Sequence, residues 1–168
     1  MSSFEALLQA VYRHDLSGLE DAMGTGASVD DTDEDGRTAL MHAVLDSGHD
    51  VGVIRRLLDL GSAVNHRDGG QKWTALAFAA RDQKADVVQL LLDHGAEVDP
   101  RDVFGDTPLW RAVSTFQEDA QVIRLLLAGG ADPRASNHHG VSPLDLAVTT
   151  GKADRIPWSV GLRGEEAT

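Results

Sequence analysis

Thr107-Pro108-Leu109-Trp110-Arg111-Ala112, followed by Leu125-Leu126-Leu127-Ala128-Gly129-Gly130-Ala131-Asp132-Pro133, decides the fold. The first stretch reads as a helix start. A Thr or Ser can accept a hydrogen bond from an orphan backbone N–H, and Pro at the next position loses no donor that the helix needs. Leu109 and Ala112, three apart, share one helical face. The second stretch is apolar on most sides and closes on a Gly, the residue that ends a helix in the left-handed conformation without steric penalty. The same order recurs along the chain. Thr38-Ala39-Leu40-Met41-His42-Ala43, Thr74-Ala75-Leu76-Ala77-Phe78-Ala79 and Ser142-Pro143-Leu144-Asp145-Leu146-Ala147 repeat the start, with spacings of 36, 33 and 35 residues. Leu57-Leu58-Asp59-Leu60-Gly61 and Leu90-Leu91-Leu92-Asp93-His94-Gly95 repeat the stop.

A further stop at Gly26-Ala27-Ser28-Val29-Asp30 requires a unit before Thr38, and Glu5-Ala6-Leu7-Leu8-Gln9-Ala10 keeps its Leu and Ala. Five units result. Their paired landmarks and their period of about 33 residues resemble ankyrin repeats. The resemblance implies an all-α repeat solenoid of five stacked repeats, each a helix-turn-helix plus a hairpin loop, with degenerate first and last units as caps. The expected repeats are 1–32, 33–68, 69–101, 102–136 and 137–160, forming one domain over 1–160, with 161–168 a frayed tail. Each unit can bury its apolar face only against its neighbours.

The ends carry cap signals. Ser2 and Glu5 can form a capping box, and Glu20 and Asp21 stand where inner repeats are apolar or basic. Arg155, Pro157 and Ser159 interrupt the second helix of the fifth repeat, since Pro within a helix removes a hydrogen bond and clashes with the preceding turn.

Two departures from the period stand out. From Thr to Gly the third repeat spans 21 residues but the second and fourth span 23, which adds two residues near Asp46–Asp50 and Ser114–Glu118. The hairpin from Gly61 to Thr74 takes 13 residues against 12 elsewhere. Both lengthen loops, where insertion is tolerated, and a partner-specific bulge is the competing reading.

Composition narrows the function classes. The chain has 168 residues, 42% of them hydrophobic and 5% aromatic, as suits stacked Leu/Val/Ala helices. Cysteine is absent, which excludes disulfides and thiolate metal sites. The N-terminal stretch has no basic region before an apolar run, and no run reaches the ~18 apolar residues of a membrane span; a cytoplasmic location is expected. The formal net charge is −12. Residues 1–36 hold nine acids against one base, with five acids among residues 30–35. Such a field repels phosphate backbones and attracts a basic protein surface, although an acidic turn is also an ordinary solvated loop.

Catalytic and metal signatures are weak. His138-His139 is the one histidine cluster, and adjacent side chains do not converge on a metal. Asp30, Thr32 and Asp35 resemble a calcium loop in composition alone, since no Glu closes the set. No phosphate-cradling Gly loop or Ser/His/Asp arrangement is present. The expectation is a non-enzymatic chain with no catalytic residue, metal or cofactor.

In ankyrin proteins the hairpin tips and the exposed face of the first helix line a partner-binding surface. By position, the resemblance implies Tyr12, Arg13, Glu34, Asp35, Arg37, Leu45, Asp46, Trp73, Arg81, Asp82, Val103, Phe104, Asp106, Trp110, Ser114 and Thr115. Trp73 and Phe104 are candidate anchors, because aromatics dominate interface energetics; packing of Trp73 and Trp110 against the hairpin stems is the competing reading. Trp110 also stands where the family usually has His. The expected partner is a basic protein, met by a monomer that binds neither nucleic acid nor membrane. A small stand-alone array of this kind resembles bacterial immunity proteins that neutralise toxins. Arg outnumbers Lys twelve to three, in keeping with a bacterial source. A structural or scaffolding subunit of a larger assembly is the alternative.

Overall fold

A computed structural model describes residues 2–158. Among them are nine α-helices: α1 (Ser3–Tyr12), α2 (Leu16–Gly24), α3 (Ala39–Leu45), α4 (Val51–Asp59), α5 (Ala75–Arg81), α6 (Ala85–Asp93), α7 (Pro108–Thr115), α8 (Gln121–Ala128) and α9 (Pro143–Thr149). A 3₁₀ turn, Ala153–Arg155, stands where a second helix of the fifth repeat would begin, and Pro157 follows it. Ser159 and the expected tail lie outside the described residues. The fold class is the all-α repeat class expected, and the hairpins contain, among the described residues, one isolated antiparallel bridge, Thr32 to Thr38.

Helix starts follow the sequence signals. The side chains of Ser2, Thr38, Thr107 and Ser142 each accept a hydrogen bond from the backbone N–H three residues on, at 3.1 to 3.4 Å. Glu5 and Asp145 return the bond to the N–H of Ser2 and Ser142, which completes two capping boxes. Helix ends are equally regular. Gly26, Gly61, Gly95 and Gly130 have φ between 83° and 100°. In each case the Gly N–H bonds the carbonyl three residues back and the next N–H the carbonyl five back, as in Leu57 O and Leu58 O receiving Ser62 N and Gly61 N.

The first helices end in two ways. After α1, α5 and α9 the chain turns through His14, Gln83 and Gly151, at φ of 54°, 56° and 69°. Each repeats the same pair of bonds, as in Gln83 N to Ala80 O and Lys84 N to Ala79 O. After α3 and α7 the two-residue insertions replace this turn, and Asp46 and Phe116 leave the helix with extended ψ of 132° and 131°.

The chain forms two compact units, Met1–Ala75 and Leu76–Thr168. In the first, α1 packs on α2 and α3, and α4 on α3 and α2. Leu7, Val11, Leu19, Leu40, Met41, Ile54 and Leu57 are fully buried there. Glu20 and Asp21 are exposed as expected, and Glu20 Oε1 also meets Arg56 Nη2 at 2.6 Å. In the second, α8 packs on α6 and α7, and α7 on α9, around Leu91, Leu109, Ile123 and Leu126. Each such side chain contributes about 1.5–3 kcal/mol by leaving water. Carboxylates tie one repeat to the next: Ala63 N donates to Asp30 Oδ1 at 2.8 Å, and Asp132 N to Asp99 Oδ2 at 2.9 Å.

Candidate functional site

Three of the hairpins are closed by one side chain at a fixed place, five residues before the next helix start. Asp33 Oδ1 accepts from Asp35 N and Arg37 N, Asp102 Oδ1 from Phe104 N and Asp106 N, and Asn137 Oδ1 from His139 N and Val141 N, all at 2.8 to 3.0 Å. These residues compete with backbone pairing by offering an oxygen to nearby N–H groups, and so fix a tight loop. Adjacent tips are joined, since Gly69 N donates to Asp35 O at 2.8 Å and His138 N to Phe104 O at 2.9 Å.

This closure sets what each tip presents. Val103 and Phe104 are 44% and 46% exposed. Behind them Arg111 Nη2 bonds Asp102 Oδ2 and lies 3.0 Å from Asp106 Oδ2, with its guanidinium 6.0 Å from the Phe104 ring and 5.3 Å from that of Trp110. Asp106 was expected on the binding surface. It is instead buried, because its carboxylate takes Arg111 on one oxygen and Asn137 Nδ2 at 2.7 Å on the other. Trp73 is only 8% exposed, in agreement with the packed one of its two readings. The longer hairpin, with Lys72 in the left-handed region, pairs Asp68 N with Trp73 O and Trp73 N with Asp68 Oδ1, both at 2.9 Å, and seats the indole in the stem. Trp110 is half-buried and its Nε1 is covered without an acceptor among the described residues.

In the first unit three side chains form a chain of hydrogen bonds. Tyr12 Oη lies 2.7 Å from His42 Nδ1, and His42 Nε2 lies 2.8 Å from Asp33 Oδ2. An ionised Asp33 only accepts, so His42 Nε2 carries a proton and donates to it. Burial, then the charges of Asp46 and Asp33, pushes the Tyr12 hydroxyl above its ordinary pKa, which keeps it a neutral donor. At Asp33 burial pushes upward, but hydrogen bonds from the Arg37 N–H and His42 hold the carboxyl below its usual range. Asp46 is half-buried and its Oδ2 meets His14 Nε2 at 2.9 Å. Leu45 is half-buried beside it, and Tyr12 and Arg13 are exposed. Of the five acids at 30–35, Asp30 holds Ala63 N, Asp31 holds Ser28 N, and Asp33 closes its own loop. Glu34 and Asp35 face solvent, with Arg37 Nη1 3.5 Å from Asp35 Oδ2.

The remaining expected residues gather at the helix-turn end of the second unit. Arg81 bonds its neighbour Asp82 through two nitrogens, at 2.6 and 2.9 Å. Ser114 Oγ donates to Arg111 O, and Thr115 Oγ1 to Arg81 O, both at 2.8 Å. Sequence reasoning missed Gln83 and His14, whose left-handed backbones aim their side chains at the following repeat. The signal lay in the register, because both stand nine residues from a repeat start, as Gly151 does. His66 and His94 hold Gly36 O and Leu90 O at 3.0 and 2.8 Å. Among the described residues no group of three His or acidic side chains could hold a metal, and no helix is long and apolar enough to cross a membrane.

Residues 7–102 match the family model for ankyrin repeats in three copies, and residues 104–138 match that for a single ankyrin repeat. Similar proteins include serine/threonine-protein kinase 12 of Arabidopsis thaliana, 44% identical over 47% of this chain and 17% of its own length. The BTB/POZ domain and ankyrin repeat-containing protein NH5.2 of rice is 41% identical over 52% of this chain and 16% of its own. The E3 ubiquitin-protein ligase hecd-1 of Caenorhabditis elegans is 34% identical over 67% of this chain and 4% of its own. The matched segment therefore spans a small part of each relative. With the landmark residues, the repeated caps and turns, and a family match over more than half its length, the chain belongs to the ankyrin-repeat family.

Proposed function

We propose that this chain is a non-enzymatic interaction module that engages a protein partner through its hairpin tips and the exposed ends of its first helices. The observation that carries this reading is the Val103–Phe104 tip, an exposed apolar pair on a loop held rigid by Asp102. Rigid presentation lowers the ordering cost of binding, and an exposed aromatic supplies anchor area. Glu34 and Asp35 support a preference for a basic partner surface. The repeats are proposed to act as one domain over 1–160 and as a monomer, since the unit boundary at Ala75 falls inside the Thr74–Ala79 motif and the repeat period runs through it. A finer form, in which the acids cover a cationic active site as an immunity protein would, draws support from those two side chains; the plant and worm relatives give none to a bacterial source.

The test is photo-crosslinking from position 104, with position 89 on the exposed side of α6 as control. Crosslinking of one protein from 104 and not from 89 is the expected result. Equal yields at both positions, or yield from 89 alone, would place the interface off the tips.

A further inference from the structure

We propose that Tyr12 is a covalent acceptor site, a phenol whose hydroxyl takes an acyl group from a neutral activated ester with His42 as the base. Three side chains from three elements converge there. Tyr12 ends α1, His42 lies on α3, and Asp33 closes the hairpin between α2 and α3. Tyr12 Oη is 2.7 Å from His42 Nδ1, and His42 Nε2 is 2.8 Å from Asp33 Oδ2. The two rings meet edge to face, with centroids 5.9 Å apart and planes at 77°. A nucleophile, a base and a third group that orients the base therefore stand in line, the arrangement by which proteins activate a hydroxyl. Exposure is divided as this chemistry requires. Tyr12 is 52% exposed and open to a reagent, whereas the His42 side chain is 14% exposed and shielded.

Asp33 fixes which nitrogen is free. Nε2 carries a proton for the carboxylate, so while the ring is neutral its lone pair lies on Nδ1, against the phenol. The phenol needs that base, because burial and the charges of Asp46 and Asp33 hold its pKa above the ordinary value and leave little phenolate at neutral pH. In the reaction the Tyr12 oxygen attacks the ester carbonyl carbon, and its proton passes to Nδ1. Asp33 stabilises the resulting imidazolium. The tetrahedral adduct expels the leaving group as its anion, which leaves an O-acyl tyrosine, and the imidazolium returns its proton to solvent. The surrounding charges select the donor. Asp46 and Asp33 act on the hydroxyl with Arg37 as a weaker opposing charge, and His14 is engaged by Asp46 at 2.9 Å. That negative excess disfavours an anionic phosphoryl donor and leaves a neutral acyl donor.

This inference is independent of the protein-binding reading, since each chain accepts one group and turns nothing over. The intact chain is treated with p-nitrophenyl acetate, and acetylation is followed by peptide mass spectrometry; Tyr12 is the only tyrosine. At about pH 7.5 Tyr12 should be acetylated about a hundredfold faster than N-acetyltyrosinamide in the same solution. Its rate should rise through the pH range in which imidazoles titrate, about 5 to 8. His42→Gln should remove most of the acceleration. Asp33→Asn, which keeps a side-chain oxygen for the hairpin, should lower the plateau about tenfold and move the rise to lower pH, because the imidazolium loses its counter-charge. A residue that only shaped the loop would not move the profile. Should His42→Gln fail to fold, the parent profile and Asp33→Asn decide the matter. A Tyr12 rate no greater than that of the free amide, or parent-like rates and profiles in the folded variants, would overturn the proposal.

Discussion

Gln83 and Thr115 lock the end of α5 to the end of α7: Gln83 Nε2 donates to Thr115 Oγ1 at 2.9 Å, and that hydroxyl donates to Arg81 O at 2.8 Å. The glutamine reaches its partner from a backbone φ of 56°, a conformation that costs a side-chain-bearing residue about 1–2 kcal/mol. Hydrogen bonds to the next repeat offset that strain. Gln83→Gly should therefore relieve the backbone and lose the lock, for a net destabilisation of about 1 kcal/mol, since two bonds of about 0.5–1.5 kcal/mol each disappear. Urea unfolding would show it, and a gain in stability would mean that the lock contributes nothing.

Gly151 occupies the same position at φ 69°, and a Cβ there would meet nothing within 4 Å. Gly151→Ala should thus report backbone strain alone, with a loss of about 1 kcal/mol. A neutral result in the same urea assay would show that the last turn relaxes.

Leu91 is fully buried on α6, which packs on α8. Leu91→Asp would leave an unpaired charge in that contact, at a cost of several kcal/mol and a large part of total stability. Circular dichroism should find the variant unfolded or melting far below the parent.

Arg111 faces two buried carboxylates, Asp102 and Asp106. Removing the cation leaves both without their counter-charge, so Arg111→Ala should cost about 3–5 kcal/mol, more than a surface ion pair of about 0–1 kcal/mol. Arg111→Lys restores the charge without the fork and should recover only part of the loss.

The depressed pKa of Asp33 fixes the sign of a pH effect. A carboxyl whose folded pKa lies below its unfolded value of about 3.9 contributes stability that is fully present above that value and is lost as pH falls through the folded one. Asp33→Asn should keep the hairpin, because Asn137 closes its own loop with the same two bonds. It should flatten the acid limb of the stability profile. An unchanged limb would remove Asp33 as a contributor.

Once a partner is crosslinked, Phe104→Ala should weaken binding by about 2 kcal/mol, chiefly through faster dissociation. Glu34→Gln/Asp35→Asn should slow association and reduce its salt dependence, because exposed charges act at a distance and are screened within ~10 Å at 0.1 M. Full affinity in both variants would exclude these tips from the interface.

The repeat order, the helix starts at Thr38, Thr107 and Ser142, the stops at Gly26, Gly61, Gly95 and Gly130, and the longer turns of the second and fourth repeats were all legible in the chain. Each depends on local chemistry: a hydroxyl accepting from a backbone N–H within one turn, a glycine free to take positive φ, a count of residues between fixed points. Tertiary structure alone decided that Trp73 is buried while Phe104 is exposed, that Asp106 serves Arg111 and not solvent, and that His14 and Gln83 take left-handed turns and reach the next repeat. Those outcomes depend on contacts between residues some 5 to 32 positions apart, as in Arg111 with Asp106 or His14 with Asp46. Residue type does not state such a pairing, because an aspartate at a hairpin tip is equally suited to water and to an arginine until packing puts the arginine within reach.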